Sequence, residues 1–180
     1  MPTEPRFRQL ARENLLTAPT LAALQTRESV VEGEPRYLAP EAFDTLVQLC
    51  DRLRPPYERP TAREIALRID AQLADEKTDG WRYDAMPPDG EAHAMGLAAL
   101  AAEANDAGGL TDDLIRSLQR GETRLQWAVS PERFLEEVLA EVVTYAYSQP
   151  EAQDAIGYDG YADAQGWDHI RIGDSKEPWE

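Results

Sequence analysis

The side chains best suited to chemistry gather near the C-terminus, where Asp154, Asp159, Asp163, Asp168 and His169 lie close together. An oxygen-rich run of this kind raises calcium first. An EF-hand loop needs oxygen ligands at positions 1, 3 and 5 and a glycine at position 6. Counted from Asp159, position 3 is Tyr161 and position 6 is Ala164, so the pattern fails. Zinc needs imidazole or thiolate ligands at set spacings, and His93, His169 and Cys50 supply too few, with no His-Glu-x-x-His. Asp168 and His169 have the types of a proton-transfer pair, but chain neighbours usually point apart, and no Ser or Cys motif accompanies them. No Gly-x-Gly-x-x-Gly and no P-loop is present, so neither device for binding a dinucleotide or nucleoside phosphate is available. The sequence therefore predicts no catalytic residue, no metal ligand and no cofactor site in this chain. The acids read better as solvated charges that keep an aromatic tail soluble.

Composition narrows the remaining classes. At 180 residues one domain is expected, with an appended arm. Hydrophobic residues at 42% and aromatics at 8% are enough for a core and argue against wholesale disorder. The net charge of −16 argues against nucleic acid or an anionic membrane as the main partner, since both require clustered cations. It fits a soluble protein or one that meets a basic partner surface. Cys50, the only cysteine, sits on the apolar side of its helix beside Leu46, Val47 and Leu53 and reads as a buried structural thiol. No apolar run approaches the ~20 residues of a membrane span. Arg6-Phe7-Arg8 is followed by Glu13, Pro19 and Gln25 rather than an apolar segment, so no secretory leader is expected and the location reads as cytoplasmic. A periplasmic location would follow if a partner carried the export signal.

The elements are helical throughout. Residues 6–16 and 20–28 read as two short helices separated by Pro19, and residues 1–36 together as an N-terminal arm. Phe43, Leu46, Val47, Cys50 and Leu53 make a helical stripe over Pro40 to Leu53, and Pro55, Pro56 and Pro60 stop it. Thr61-Ala-Arg-Glu64 is a capping box, opening a helix lined by Ile65, Ile69 and Leu73. A polar loop from Asp75 to Gly90 carries Trp81, Tyr83 and Met86. An alanine-rich helix over 91–106 ends at Gly108-Gly109, and a short one begins near Thr111 and ends at Gly121. Ser130 and Pro131 then open the most apolar helix, to residue 148, with Phe134, Leu135, Val138, Leu139, Val142, Tyr145 and Ala146 on one face. Val143 and Tyr147 widen that face, so this helix is expected at the centre of the fold. The predicted class is all-α, an irregular bundle of six or seven helices in the chain, with the arm over 1–36, the helical bundle over 37–150 and an irregular tail over 151–180.

That tail is broken by Gly157, Gly160 and Gly166 yet carries Tyr158, Tyr161, Trp167, Ile170 and Ile172. So large an apolar load on irregular backbone must lie on something, either its own bundle or another protein. Tyr and Trp give large contact area with few rotatable bonds and suit interface cores. Trp81, Tyr83, Tyr158, Tyr161, Trp167, Ile170 and Trp179 are accordingly the candidate partner-interface residues, with Trp81 and Trp167 expected to pack internally at least in part.

Several stretches carry a resemblance. They are Leu38-Ala-Pro-Glu-Ala-Phe43, Arg52-Leu-Arg-Pro-Pro56, Gly80-Trp-Arg-Tyr83, the helix around Arg133-Phe134 and its Tyr145-Ala-Tyr-Ser-Gln-Pro150 ending. Gly157-Tyr-Asp-Gly160, Ala162-Asp163 and Gly166-Trp167 with Ile170 continue it. In this order, over roughly residues 37 to 172, the chain resembles the gluconate 2-dehydrogenase subunit 3 family. The resemblance implies a non-catalytic small subunit that binds and stabilises a large FAD-containing dehydrogenase of the glucose–methanol–choline type. That complex would oxidise a sugar or sugar acid, with the FAD in the partner and a cytochrome c subunit often taking the electrons. A twin-arginine leader, frequent in such subunits, has no counterpart here. The other reading is a free-standing acidic helical assembly factor for such a flavoprotein.

Overall fold

The computed structural model describes residues 4–77, 86–158, 160 and 164. Among them lie eight α-helices and no strand: α1 (Arg6–Arg12), α2 (Ala18–Glu28), α3 (Pro40–Leu53), α4 (Ala62–Ala74), α5 (Asp89–Ala107), α6 (Asp112–Gln119), α7 (Pro131–Tyr147) and α8 (Pro150–Ala155). They fall into two compact units. One holds the described residues up to Ser29 and from Tyr147 onward, and the other is Val30–Ala146.

In the smaller unit α1, α2 and α8 pack together, with Phe7, Leu10 and Leu24 buried between them. Three local details differ from expectation. α1 stops at Arg12 because Asn14 takes the left-handed conformation at φ 57°. Its neighbours close the turn, Leu15 N–H donating to Leu10 O at 2.9 Å and Asn14 N–H to Ala11 O at 3.1 Å. Pro19 does not separate helices but sits in the first turn of α2, where a missing N–H costs nothing. Pro150 likewise does more than end α7: it begins α8, whose Asp154 carboxylate accepts the backbone N–H of Arg6 at 2.7 Å.

In Val30–Ala146 the closest helix approaches are α3 on α4 and α3 on α5. Phe43, Leu46, Leu49 and Cys50 of α3 meet Ile65, Ile69 and Leu73 of α4 and Leu97 and Leu100 of α5 in one core. Phe134, Leu135, Val138 and Val142 of α7 and Leu114 and Leu118 of α6 complete it. α7 is thus a core helix but not the hub. Glu136, Ala140, Val143 and Thr144 face solvent, so the breadth of its apolar pattern overstated how many neighbours it has.

The helix ends follow the local signals. Thr61 Oγ1 accepts from Glu64 N–H at 3.2 Å while the Glu64 carboxylate accepts from Thr61 N–H at 2.8 Å, the expected capping box. α5 ends with Gly108 at φ 82°, where Gly109 N–H reaches back to Ala104 O at 2.7 Å. Ser130 Oγ caps α7, accepting from Arg133 N–H at 3.3 Å.

One glycine has a different task. Gly96 sits inside α5 with its Cα against the Phe134 ring, so any Cβ there would run into the ring. Gly→Ala in a helix interior ordinarily gains up to about 1 kcal/mol. At Gly96 the overlap outweighs this, because Phe134 is buried between α5 and Trp127 and has nowhere to move. Gly96→Ala is expected to destabilise by about 1–3 kcal/mol, the range for overpacking a filled core, as read from chemical denaturation. A stabilised variant would show that Phe134 can shift.

Candidate functional site

Among the described residues of Val30–Ala146 three carboxylates are buried, and each is engaged with a chain segment. Asp70 on α4 is 1% exposed and accepts the backbone N–H groups of Arg36, Tyr37 and Leu38, the last two at 3.1 and 2.8 Å. Glu103 on α5 is fully buried and accepts from Arg124 N–H, Leu125 N–H at 3.1 Å and Trp127 Nε1–H at 3.3 Å. Glu64 holds its own helix start and the Arg59 guanidinium. Burial would raise the Glu64 pKa, but Arg59 and Thr61 stabilise the carboxylate and lower it overall. These acids organise the segments before α3, before α4 and before α7. Backbone N–H groups that would otherwise be buried without partners are thereby satisfied.

The remaining buried polar pair joins α5 to α7. His93 is 2% exposed, its Nε2 lies 2.9 Å from Glu141 Oε2 and its Nδ1 lies 2.8 Å from Asp89 O. A neutral imidazole carries one N–H and could satisfy one of these acceptors. With acceptors on both sides, only the doubly protonated imidazolium can donate to both Asp89 O and Glu141. Burial pushes the His93 pKa down, but the hydrogen bond and charge of Glu141, with Asp89 O and Glu137 assisting, outweigh it and raise the pKa above the usual value. Cys50 and Tyr145, also near Glu141, are pushed up, each chiefly by burial.

A His whose folded pKa is raised contributes fully below the unfolded pKa of about 6.5 and loses that contribution as pH climbs through the folded value. The Tm of the protein is therefore expected to fall as pH rises above about 6.5, and His93→Leu should flatten that slope. An unchanged slope in His93→Leu would mean the pair is not the titrating element.

These groups face inward, so the arrangement cross-links helices rather than presenting acid–base groups to a substrate. Among the described residues no three His, Cys, Asp or Glu side chains gather to hold a metal ion. No helix there is long and apolar enough to cross a membrane. Cys50 is buried, as its place on α3 predicts.

Of the interface candidates, Tyr158 is exposed at 45% just after α8, next to the exposed Ile156. Trp81, Tyr83, Tyr161, Trp167, Ile170 and Trp179 lie outside the described residues, as do Asp159, Asp163, Asp168 and His169. Sequence reading passed over Asp70, Glu103 and His93 as site-builders. The signal was present: each sits at i±3 or i±4 from apolar core residues of its own helix (Asp70 from Ala66 and Leu73, Glu103 from Leu100, His93 from Leu97). A charged residue on an apolar arc announces a buried partner.

Fold and polar interior define an all-helical protein whose buried acids secure its own loops. The gluconate 2-dehydrogenase subunit 3 family matches residues 40–166, from the first residue of α3 into the tail. The chain belongs to that family, as the resemblance implied. No curated protein and no solved structure matches it.

Proposed function

We propose that this chain is the non-catalytic small subunit of an FAD-dependent dehydrogenase of the glucose–methanol–choline type, which it binds and stabilises. The observation that carries this reading is the family match across α3 to α8. The engagement of Asp70, Glu103 and Glu64 with neighbouring segments supports it, since these carboxylates are committed to holding structure. In this reading FAD belongs to the large subunit and the substrate is a sugar or sugar acid oxidised there. A cytochrome c subunit takes the electrons, and the complex is located wherever the large subunit is sent. Tyr158, with Trp81, Tyr83, Tyr161, Trp167, Ile170 and Trp179, contributes contact to that partner.

Co-expression with a dehydrogenase of this type from the same source tests it. The expected result is one complex carrying flavin absorbance, with the dehydrogenase losing activity faster on heating when the small chain is omitted. A chain that turns over sugar without flavin overturns the reading. A chain that aids production of active flavoprotein but leaves before purification is an assembly factor instead.

A further inference from the structure

Between the start of α3 and the outer face of α5 runs an apolar groove of about 340 Å³. Ala42 and Thr45 form one wall, Ala94, Ala98 and Ala101 the other, and Tyr37 belongs to its lining. The solvent face of α5 continues it. From Ala94 through Met95 and Ala98 to Ala102 the exposed positions carry no charge, although 29% of the chain is charged. Tyr37, 43% exposed, is one of the few large apolar side chains among the described residues left in solvent. Tyr37 is also fixed in place. Its backbone N–H is held by buried Asp70, and its hydroxyl end lies over Gly90, where a Cβ would collide with it. A pre-positioned aromatic over a small-residue surface has little ordering entropy left to lose on binding.

The charges choose the occupant. Glu41 lines the groove, Asp44 follows one turn along α3, Glu91 precedes Ala94 by one turn on α5, and none of the described lining residues is Lys or Arg. A second copy would bring the same acidic rim and another net charge of −16, which opposes pairing. A helix with an apolar face and basic flanks matches both features, and alanines permit the 8–10 Å axis separation of packed helices.

We propose that this groove receives one amphipathic helix of a partner protein, its apolar side against Tyr37, Ala94, Ala98 and Ala101 and its Lys or Arg flanks against Glu41 and Glu91. The identity of that partner as the flavoprotein rests on the subunit reading; the chemistry of the groove does not.

Two arms test this. In the first, a synthetic 18-residue helical peptide with leucines on one face and lysines on the other is titrated into the full chain, alongside the same peptide with glutamates for lysines. The lysine peptide should bind, the glutamate peptide should not, and Ala98→Arg should weaken binding about tenfold or more, on the scale of an interface hot spot. Tyr37→Ala should weaken it too, and the pair Glu41→Lys with Glu91→Lys should reverse the peptide preference. Ala140→Arg, which adds the same charge on the exposed face of α7, should change nothing. Equal weakening by Ala98→Arg and Ala140→Arg overturns the groove as the site. In the second arm the same variants are co-expressed with the flavoprotein. Release of flavoprotein by Ala98→Arg alone supports the proposal; retention, with unaltered peptide affinity, overturns it and leaves the subunit reading standing. If the wild-type chain holds no flavoprotein, the subunit reading falls and the peptide arm decides the groove. A wild-type dimer that Ala98→Arg converts to monomer would make the occupant a second copy and overturn the proposal.

Discussion

Val138→Asp is expected to leave Val30–Ala146 without a stable fold. Val138 is fully buried in α7, within the core it shares with α3, α4 and α5. An aspartate there must either ionise without a partner or be held protonated, and either outcome costs several kcal/mol. Domain stabilities are about 5–15 kcal/mol, so one such charge removes much or all of the margin. Val138→Ala, which deletes methyl groups and adds no charge, should keep a cooperative transition at lower Tm. The comparison is made by circular dichroism and thermal melting of both purified variants. A soluble Val138→Asp protein that melts cooperatively near the wild-type temperature would refute the burial of this face.

The second large effect is expected at Asp70. Asp70→Ala removes the acceptor shared by three successive backbone N–H groups, those of Arg36, Tyr37 and Leu38. Each buried donor left without a partner costs about 1–3 kcal/mol, less where water can enter. Leu38 is buried while Tyr37 is partly exposed, which places the total at about 3 kcal/mol rather than at the sum of three full penalties. Asp70→Asn is the sharper variant. Its carbonyl oxygen can still accept from Tyr37 and Leu38, but its NH₂ group faces the Arg36 N–H, donor against donor. Asn should therefore recover the part of the loss that belongs to Tyr37 and Leu38 and leave the Arg36 N–H unpaired. Chemical denaturation gives the cost, and amide hydrogen exchange at residues 36–38 locates it. Exchange unchanged in Asp70→Ala would mean these N–H groups are held by something else. Because the same anchor positions Tyr37, loss of order there should also weaken the groove between α3 and α5.

Much of the architecture was legible along the chain because the signals are local. The apolar stripe over Pro40–Leu53, the capping box at Thr61 and Glu64, the glycine stop at Gly108 and the Ser130 cap are each written within one or two turns of helix. The all-α class and the family followed from such pieces and their order. What failed locally failed for local reasons too. A proline reads as a break, yet at Pro19 and Pro150 it occupies a first turn, where the lost N–H has no helical partner to lose.

Tertiary structure alone decided the rest, because it depends on which surfaces meet. An apolar arc on α7 states that the helix packs, not on how many sides; Val143 in solvent and α3 between α4 and α5 are outcomes of three-dimensional choice. His93 and Glu141 lie far apart in sequence on separate helices, and only their juxtaposition makes them a hydrogen-bonded pair. Asp70 and Glu103 are charges on apolar faces, and only the loops that need their oxygens, brought over them by the fold, give them a role. Periodicity records what one helix buries. The partner of each buried polar atom is set by long-range packing, which no window of sequence contains.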